Sequence, residues 1–256
     1  MNSVKSAVQA YWNSRPCGLG ESPNETTAEE LFRTHARIRY EREPEIMPFA
    51  EFRNWVGRWV LEIGVGIGSD YVQFLRAGAR AIGLDLSPRS LVLARQNAAT
   101  NKVSAHLLNA DAECLPFADD TFDLVYSWGV LHHSPDVART LQEIHRVLRP
   151  GGECRAMLYH RHSLVALQCY LRYGLGRFRP FVPLSDLIAA NIESPGTKAF
   201  TSPEARFLFR DFREVNIRPV VTVYDLRLGR RRFAPRWMLR MVPNRLGWFL
   251  LIRVLK

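Results

Sequence analysis

The sequence has no long apolar run. No stretch approaches the roughly 18 uninterrupted apolar residues that a membrane-spanning helix needs, which excludes an integral helical membrane protein even though 47% of the 256 residues are hydrophobic. The first residues, Met1 to Trp12, lack the charged-then-apolar order of a secretory signal, and a cytoplasmic chain is expected. Cysteine is scarce: Cys17, Cys114, Cys154 and Cys169 are scattered without a C-x-x-C pair. That is the usage of a reducing compartment, and it predicts neither a disulfide framework nor a metal site. Internal repeats and low-complexity tracts are also missing.

Acidic residues are scarce in one part only. Residues 1–159 carry 17 Lys+Arg against 19 Asp+Glu, whereas residues 160–256 carry 18 against 6, so the formal net charge of +10 resides in the C-terminal part. Such an excess could attract nucleic acid, an anionic membrane surface or an acidic small molecule, or it could be a solvated basic face.

What is present changes texture along the chain. Residues 1–50 are polar and helical in pattern, an arm ahead of the main domain. Within it Thr27-Ala28-Glu29-Glu30 caps a helix running to about Tyr40, and the proline-containing stretch from Glu43 to Pro48 ends it. Residues 51–256 are expected to form one domain. In it, short apolar runs at 59–63, 81–84, 105–108, 124–126 and 154–158 alternate with helical patterns, the grammar of βαβ units and hence of a parallel sheet. Residues 160–200 read as an insertion, with a helix over 160–173, a Gly/Arg/Pro-rich turn at 174–183 and a short helix near 185–190. Thr201-Ser202-Pro203-Glu204 starts another helix, because a hydroxyl cap followed by proline satisfies orphan N–H groups. Runs at 215–223 and 248–254 read as two final strands that bring the plan to a sheet edge. Between them lies a basic amphipathic piece from Arg230 to Leu246.

The core signal is Val60-Leu61-Glu62-Ile63-Gly64-Val65-Gly66-Ile67-Gly68, an apolar strand running into a glycine-rich turn. Glycines there let the backbone approach a ligand and adopt positive φ. The spacing is G-x-G-x-G rather than the G-x-G-x-x-G of a dinucleotide fingerprint, since Ser69 and Tyr71 occupy the next candidate positions. About 20 residues beyond the loop, as nucleoside-binding sheets require, Asp85 closes the second strand, where a carboxylate can accept both hydroxyls of a ribose. It could instead be a helix-cap Asp before Ser87-Pro88. Asp111 can accept from an exocyclic amine or serve as a turn Asp.

Taken in order, these strand ends resemble the class I S-adenosylmethionine (SAM)-dependent methyltransferase family, in particular its ubiquinone-biosynthesis-like branch. The resemblance is strong over about residues 55–160. Four segments carry it: Glu62-x-Gly64-x-Gly66-x-Gly68, Asp85, Asp111-Ala112-Glu113 with Leu115-Pro116-Phe117, and Arg146-Val147-Leu148-Arg149-Pro150-Gly151-Gly152. It implies a Rossmann-like α/β fold with a seven-stranded, mostly parallel sheet and helices on both faces, carrying the N-terminal arm and an insertion after the fifth strand. It also implies SAM as cofactor and S-adenosylhomocysteine as product. The cofactor contacts it implies are Glu62, Gly64, Gly66, Gly68, Asp85, Leu86, Asp111, Ala112, Ser127 and, from the arm, Tyr11. Tyr11-Trp12 with Arg37, Arg39 and Tyr40 resemble parts that related enzymes fold over SAM.

Methyl transfer needs a base only if the acceptor's proton must leave. The segment from Phe122 to His133 leads into the expected catalytic mouth, so His132 or His133 could be that base, or either could be a capping or packing histidine. Acceptor choice is expected in the insertion, with Tyr170, Tyr173, Phe178, Phe181, Arg177 and Arg179. A small-molecule acceptor is the leading expectation. Nucleic acid is disfavoured, because Ser127-Trp128-Gly129 stands where base-amine methyltransferases carry an Asp/Asn-Pro-Pro-aromatic motif and no RNA-binding module is recognisable. The 230–246 piece leaves peripheral membrane contact open, and a SAM-binding subunit without turnover is the remaining alternative.

Overall fold

The computed structural model describes residues 3–16, 27–227 and 233–256. The strands are β1 Trp59–Ile63, β2 Arg80–Asp85, β3 His106–Asn109, β4 Phe122–Trp128, β5 Leu148–Tyr159, β6 Arg213–Val220 and β7 Phe249–Leu255. They form one sheet in the order β3-β2-β1-β4-β5-β7-β6. The first five are parallel, β7 runs antiparallel to β5, and β6 antiparallel to β7.

Among the described residues, three α-helices precede the sheet: α1 Ser3–Ser14, α2 Ala28–Arg42 and α3 Ile46–Ala50. The parallel strands are linked by α4 Ser69–Arg76, α5 Pro88–Thr100 and α6 Val137–Val147. Then α7 Leu164–Cys169, α8 Leu184–Asn191 and α9 Ser202–Leu208 follow β5, and the single-turn α10 Arg236–Leu239 lies between β6 and β7.

The central strands read as continuous apolar runs because both their faces are covered. Alternate residues feed two cores. Val60, Leu124 and Tyr126 join Phe74 and Phe52 on one face, while Leu61, Phe122 and Val125 join Leu141 and Ile144 on the other. Helix α6 supplies the second core from Val137, Leu141, Ile144 and Val147, the i, i+4, i+7 stripe of an amphipathic helix. Strand order reverses between β1 and β4, so the crevice of this fold opens at their carboxyl ends.

Local signals hold at several helix starts. The side chains of Thr27, Ser87 and Thr201 accept from the backbone N–H groups of Glu30, Ser90 and Glu204, and Glu204 closes a reciprocal capping box. Other expectations need correction. The chain does not end at the sheet edge: β7 is inserted between β5 and β6, and β6 is the edge. Residues 221–223 leave the sheet, because Asp225 Oδ2 accepts from Thr222 N at 2.8 Å and from Trp248 N at 3.0 Å, closing a turn. The helix expected over 160–173 begins only at Leu164, capped by Ser163, since His160 is still paired with Phe200. It then passes into a π-helical turn, Tyr170–Gly174.

Within the basic piece from Arg230 to Leu246, the described residues do not form one continuous helix. Its residues 230–232 lie outside the described residues, and the rest holds α10 and a 3₁₀ turn, Asn244–Leu246, each preceded by a proline, Pro235 and Pro243. Proline removes a helix donor and biases the residue before it toward extended backbone. Cys17 also lies outside the described residues, while Cys114, Cys154 and Cys169 are free thiols. Among the described residues no helix is long and apolar enough to cross a membrane.

The capping box gives a direct check on these local energetics. Thr201→Ala should lower unfolding free energy by about 1 kcal/mol, read as a lower urea midpoint with an unchanged m-value. A midpoint equal to wild type would mean that the cap is not held.

Candidate active site

The carboxyl ends of β1, β2, β4 and β5, helices α1 and α2, and the segment 165–193 enclose one cavity of about 650 Å³. Its floor is the glycine loop. Gly64, Gly66 and Gly68 all have positive φ (78°, 54° and 82°), but they serve different ends. A Cβ on Gly64 would lie 2.2 Å from Val130 Cγ2, and one on Gly68 would lie 3.1 Å from Ala94, so these two glycines permit the loop to pack on the 128–131 turn and on α5. A Cβ on Gly66 would meet nothing within 4 Å. Gly66 is the open part of the cradle.

The loop is held by carboxylates. Asp85 Oδ2 accepts from Gly66 N at 2.9 Å and Oδ1 from Ser87 N at 2.8 Å. Burial pushes the Asp85 carboxyl up to about 6, against the opposing effect of those backbone donors. Asp70, in the first turn of α4, takes a two-pronged bond from Arg39 (3.1 and 2.7 Å) and hydroxyl bonds from Tyr40 and Tyr126, each 3.1 Å. Arg39 and Tyr40 therefore clamp the helix that follows the loop, and Arg37 pairs with Glu41 on the exposed face of α2.

Glu62 is buried beneath the loop, and its Oε2 has no hydrogen-bond partner. Burial first, then the charge of Asp70, holds it well above the usual carboxylate range. An orphaned acid aimed at an open glycine cradle fits a cationic ligand group.

Helix α1 lies over the β2 and β3 ends. Lys5 Nζ binds Asp111 Oδ2 at 2.5 Å and also binds Glu113, and Gln9 donates to the Leu86 carbonyl at 2.9 Å. Burial alone would lower the Lys5 ammonium, but its two carboxylate partners raise it above its ordinary value. Lys5, Val8 and Trp12 line the cavity with Leu86, Ala112 and Asp111. Three expected contacts, Gly68, Tyr11 and Ser127, are not among the lining residues. Tyr11 is rotated off the Lys5–Val8–Trp12 face by the 3.6-residue period, and its ring carries Arg15. Ser127 is fully buried and donates to the Ile63 carbonyl at 3.1 Å, tying β4 to β1, so that Trp128, Gly129 and Val130 reach the cavity instead.

The other end of the cavity is aromatic. Trp128, Tyr159, Tyr173, Tyr224, Trp248 and Phe249 line it, with Tyr159 stacked on Trp248 at a centroid distance of 4.3 Å. His132 is fully buried, stacks on Tyr159 (3.8 Å) and has no hydrogen-bonded ring nitrogen. Burial holds it well below the usual imidazole range.

His133 does line the cavity. Its Nδ1 lies 2.9 Å from Ser194 Oγ and 3.0 Å from Thr197 Oγ1, whose own hydroxyl donates to the Ser194 carbonyl at 2.6 Å. The other ring nitrogen, Nε2, lies 3.1 Å from Glu193 Oε2, which also accepts from Tyr159 Oη at 2.8 Å. Glu193 adopts positive φ, 52°, a strained conformation for a residue with a side chain. One ligand atom each from His132, His133 and Glu193 lies within 4.8 Å of the others, a grouping that the cysteine pattern did not suggest. Glu193 is distant in sequence from the two adjacent histidines, as Lys5 is from Asp111, and no local motif announces it.

An open α/β sheet with a glycine loop and acidic residues at successive strand ends defines a nucleoside-binding enzyme class. A methyltransferase-domain family profile matches residues 61–156. The chain is 31% identical over 154 residues to demethylmenaquinone methyltransferase of Thermus thermophilus, covering 57% of this chain and 69% of that protein. It is 41% identical over 93 residues to malonyl-[acyl-carrier protein] O-methyltransferase of Pseudescherichia vulneris, 36% of each chain. A Pyrococcus horikoshii protein of known structure shares the fold over 96% of this chain and 98% of its own, with a TM-score of 0.59 and 17% identity. The chain spans about two thirds or less of these curated relatives. It belongs to the class I SAM-dependent methyltransferase family and is an enzyme of that kind.

The two tight glycines and the open one predict different failures. Gly64→Ala should cost about 2 kcal/mol or more through strain and the Val130 clash. Gly66→Ala should cost about 1 kcal/mol of strain alone yet remove SAM binding. Thermal unfolding and calorimetric titration of both variants separate the cases, and a Gly66→Ala protein with wild-type affinity would show that the cradle is not the ligand seat.

Proposed function

We propose that SAM lies across the carboxyl ends of β1, β2 and β3 and that its methyl group passes to a small aromatic or apolar acceptor held by Trp128, Tyr159 and Trp248. The observation that carries this reading is one continuous cavity, with the glycine cradle and Asp85 at one end and the aromatic wall at the other. Bound there, the cofactor supplies an electrophilic methyl group on a cationic sulfur. The chain's own work is then alignment and exclusion of water.

Glu62 and the Gly64–Gly66 backbone hold the charged amino-acid portion, Asp85 accepts the ribose hydroxyls, Leu86 and Ala112 flank the base, and Asp111 accepts from its amine. Asp111 is already bound to Lys5, so α1 acts as a cover whose contacts rearrange when the nucleoside seats. His133 takes the acceptor's proton, its ring held at Nδ1 by Ser194 and Thr197. The proton then lies between Nε2 and the Glu193 carboxylate, where their 3.1 Å separation accommodates it. The named activities of the relatives, on a demethylated quinone and on a carrier-bound acid, are compatible with an acceptor of this small, partly apolar kind.

Calorimetric titration with SAM and S-adenosylhomocysteine tests the cofactor half. Wild type should bind both and Asp85→Ala neither, and absence of binding by folded wild type would overturn the reading. Because a protonated Asp85 no longer accepts two hydroxyls, affinity should fall as pH drops through about 6, and Asp85→Asn should lose that dependence. Limited proteolysis should cut the arm more slowly with S-adenosylhomocysteine present, whereas equal rates would remove the cover role. With an oxygen or nitrogen acceptor found by screening, His133→Asn should lower kcat by about 100-fold or more while leaving cofactor affinity unchanged. Unchanged kcat would make His133 a packing residue.

A further inference from the structure

Trp237 and Met241 of the 230–246 piece are exposed, but the two most exposed large apolar side chains among the described residues lie elsewhere, at the end of an apolar stripe that starts on α7 and continues through the turns after it. Leu167, Leu171 and Leu175, spaced by four, are each about half exposed (49%, 49% and 47%), while Ala166, Cys169 and Gly174 of the same segment are buried. The stripe runs into Phe178 and Phe181, whose side chains are 95% and 96% exposed. Two fully exposed phenylalanines next to an aliphatic stripe form an apolar patch of the sort that marks an interaction site.

The backbone at the tip sharpens the point. Phe178 closes a 3₁₀ turn, Leu175–Arg177, with φ 55°, a left-handed position that favours glycine and is strained for a bulky residue. The ring gains no packing in return. Arg172, Arg177 and Arg179 are exposed on the same segment, and between residues 160 and 192 the only acid is Asp186. Arg177 lies over the Tyr173 ring at 4.9 Å, and Arg172 and Tyr173 also line the cavity. Exposed aromatic tips, an aliphatic stripe and three arginines thus share one segment, whose Arg172 and Tyr173 reach the cavity wall.

We propose that residues 167–181 form a docking surface for an anionic lipid bilayer, with Phe178 and Phe181 entering the acyl boundary and Arg172, Arg177 and Arg179 meeting lipid phosphates. The arrangement is that of an interfacial anchor, with apolar residues to insert and basic ones to be held at the headgroups. The aliphatic stripe favours lipid over single-stranded RNA, since leucines offer no stacking face to a base. Docked this way, the cavity mouth faces the membrane, and an apolar acceptor can reach the aromatic wall without crossing water. That last consequence rests on the acceptor reading above, whereas the docking surface itself does not.

Co-sedimentation of the full chain with vesicles of phosphatidylcholine alone, or of equal parts phosphatidylcholine and phosphatidylglycerol, tests it. Wild type should pellet with the anionic vesicles and be released by high salt. Arg177→Gln/Arg179→Gln should weaken partitioning by about fivefold per arginine. Phe178→Gly/Phe181→Ser should lose at least tenfold, with an unfolding temperature equal to or above that of wild type, because glycine relieves the turn, and with unchanged affinity for S-adenosylhomocysteine. No recovery of wild type with anionic vesicles, or equal recovery of the Phe variant, overturns the proposal. So does Phe-dependent self-association without vesicles, or an affinity for single-stranded RNA that the same variant abolishes while vesicle binding is weak. Vesicle binding by a chain that binds no SAM would uphold the surface and remove only the cofactor reading.

Discussion

The buried carboxylate of Asp70 is the constraint on which the site depends. It sits in the first turn of α4, directly after the glycine loop, and is held by Arg39 of α2 and the hydroxyls of Tyr40 and Tyr126. One group thereby joins the pre-sheet helices, the helix after β1 and the neighbouring strand β4. Removing one partner of such a pair leaves an uncompensated buried charge, at a cost of about 3–5 kcal/mol. The same clamp sets the electrostatics above the loop. With Arg39 committed to Asp70, Glu62 keeps an unpartnered oxygen beneath the cradle.

The cavity divides by chemistry because the sheet divides by topology. Toward β2 and β3 the strand ends carry Asp85 and Asp111, and the covering helix answers with Lys5. Toward β5 and β7 the strand ends carry Tyr159, Trp248 and Phe249, and the cover is the segment after β5. A polar ligand and an apolar one can therefore share one space while each meets its own wall. His133 and Glu193 stand between them, and the strained backbone of Glu193 places its carboxylate against both His133 and Tyr159.

Backbone strain recurs at Phe178 with the opposite outcome for the side chain. Glu193 gains two polar contacts from its left-handed conformation, while Phe178 gains none and presents its ring to solvent. The left-handed backbone at Phe178 closes the preceding turns through Phe178 N to Leu175 O at 3.0 Å and Arg179 N to Gly174 O at 2.8 Å, and this cap carries the ring into solvent on a segment that also bears Arg177 and Arg179.

Much of the fold was legible in the chain itself. Apolar runs bounded by turn residues located each strand, and Thr27, Ser87-Pro88 and Thr201 through Glu204 marked helix starts, because backbone N–H satisfaction is a local requirement. The glycine loop and the acids at the strand ends could be read because each occupies a set distance from its strand. The partners that give those residues their chemistry were decided only by tertiary structure: Lys5 on Asp111, Arg39 on Asp70, Glu193 on His133. Exchange of Tyr11 for Trp12 and of Ser127 for its neighbours at the cavity wall followed from helix phase and strand burial. The insertion of β7 inside the edge strand and the exposure of Phe178 were likewise invisible in sequence, since strand order and solvent access are properties of the whole assembly of elements.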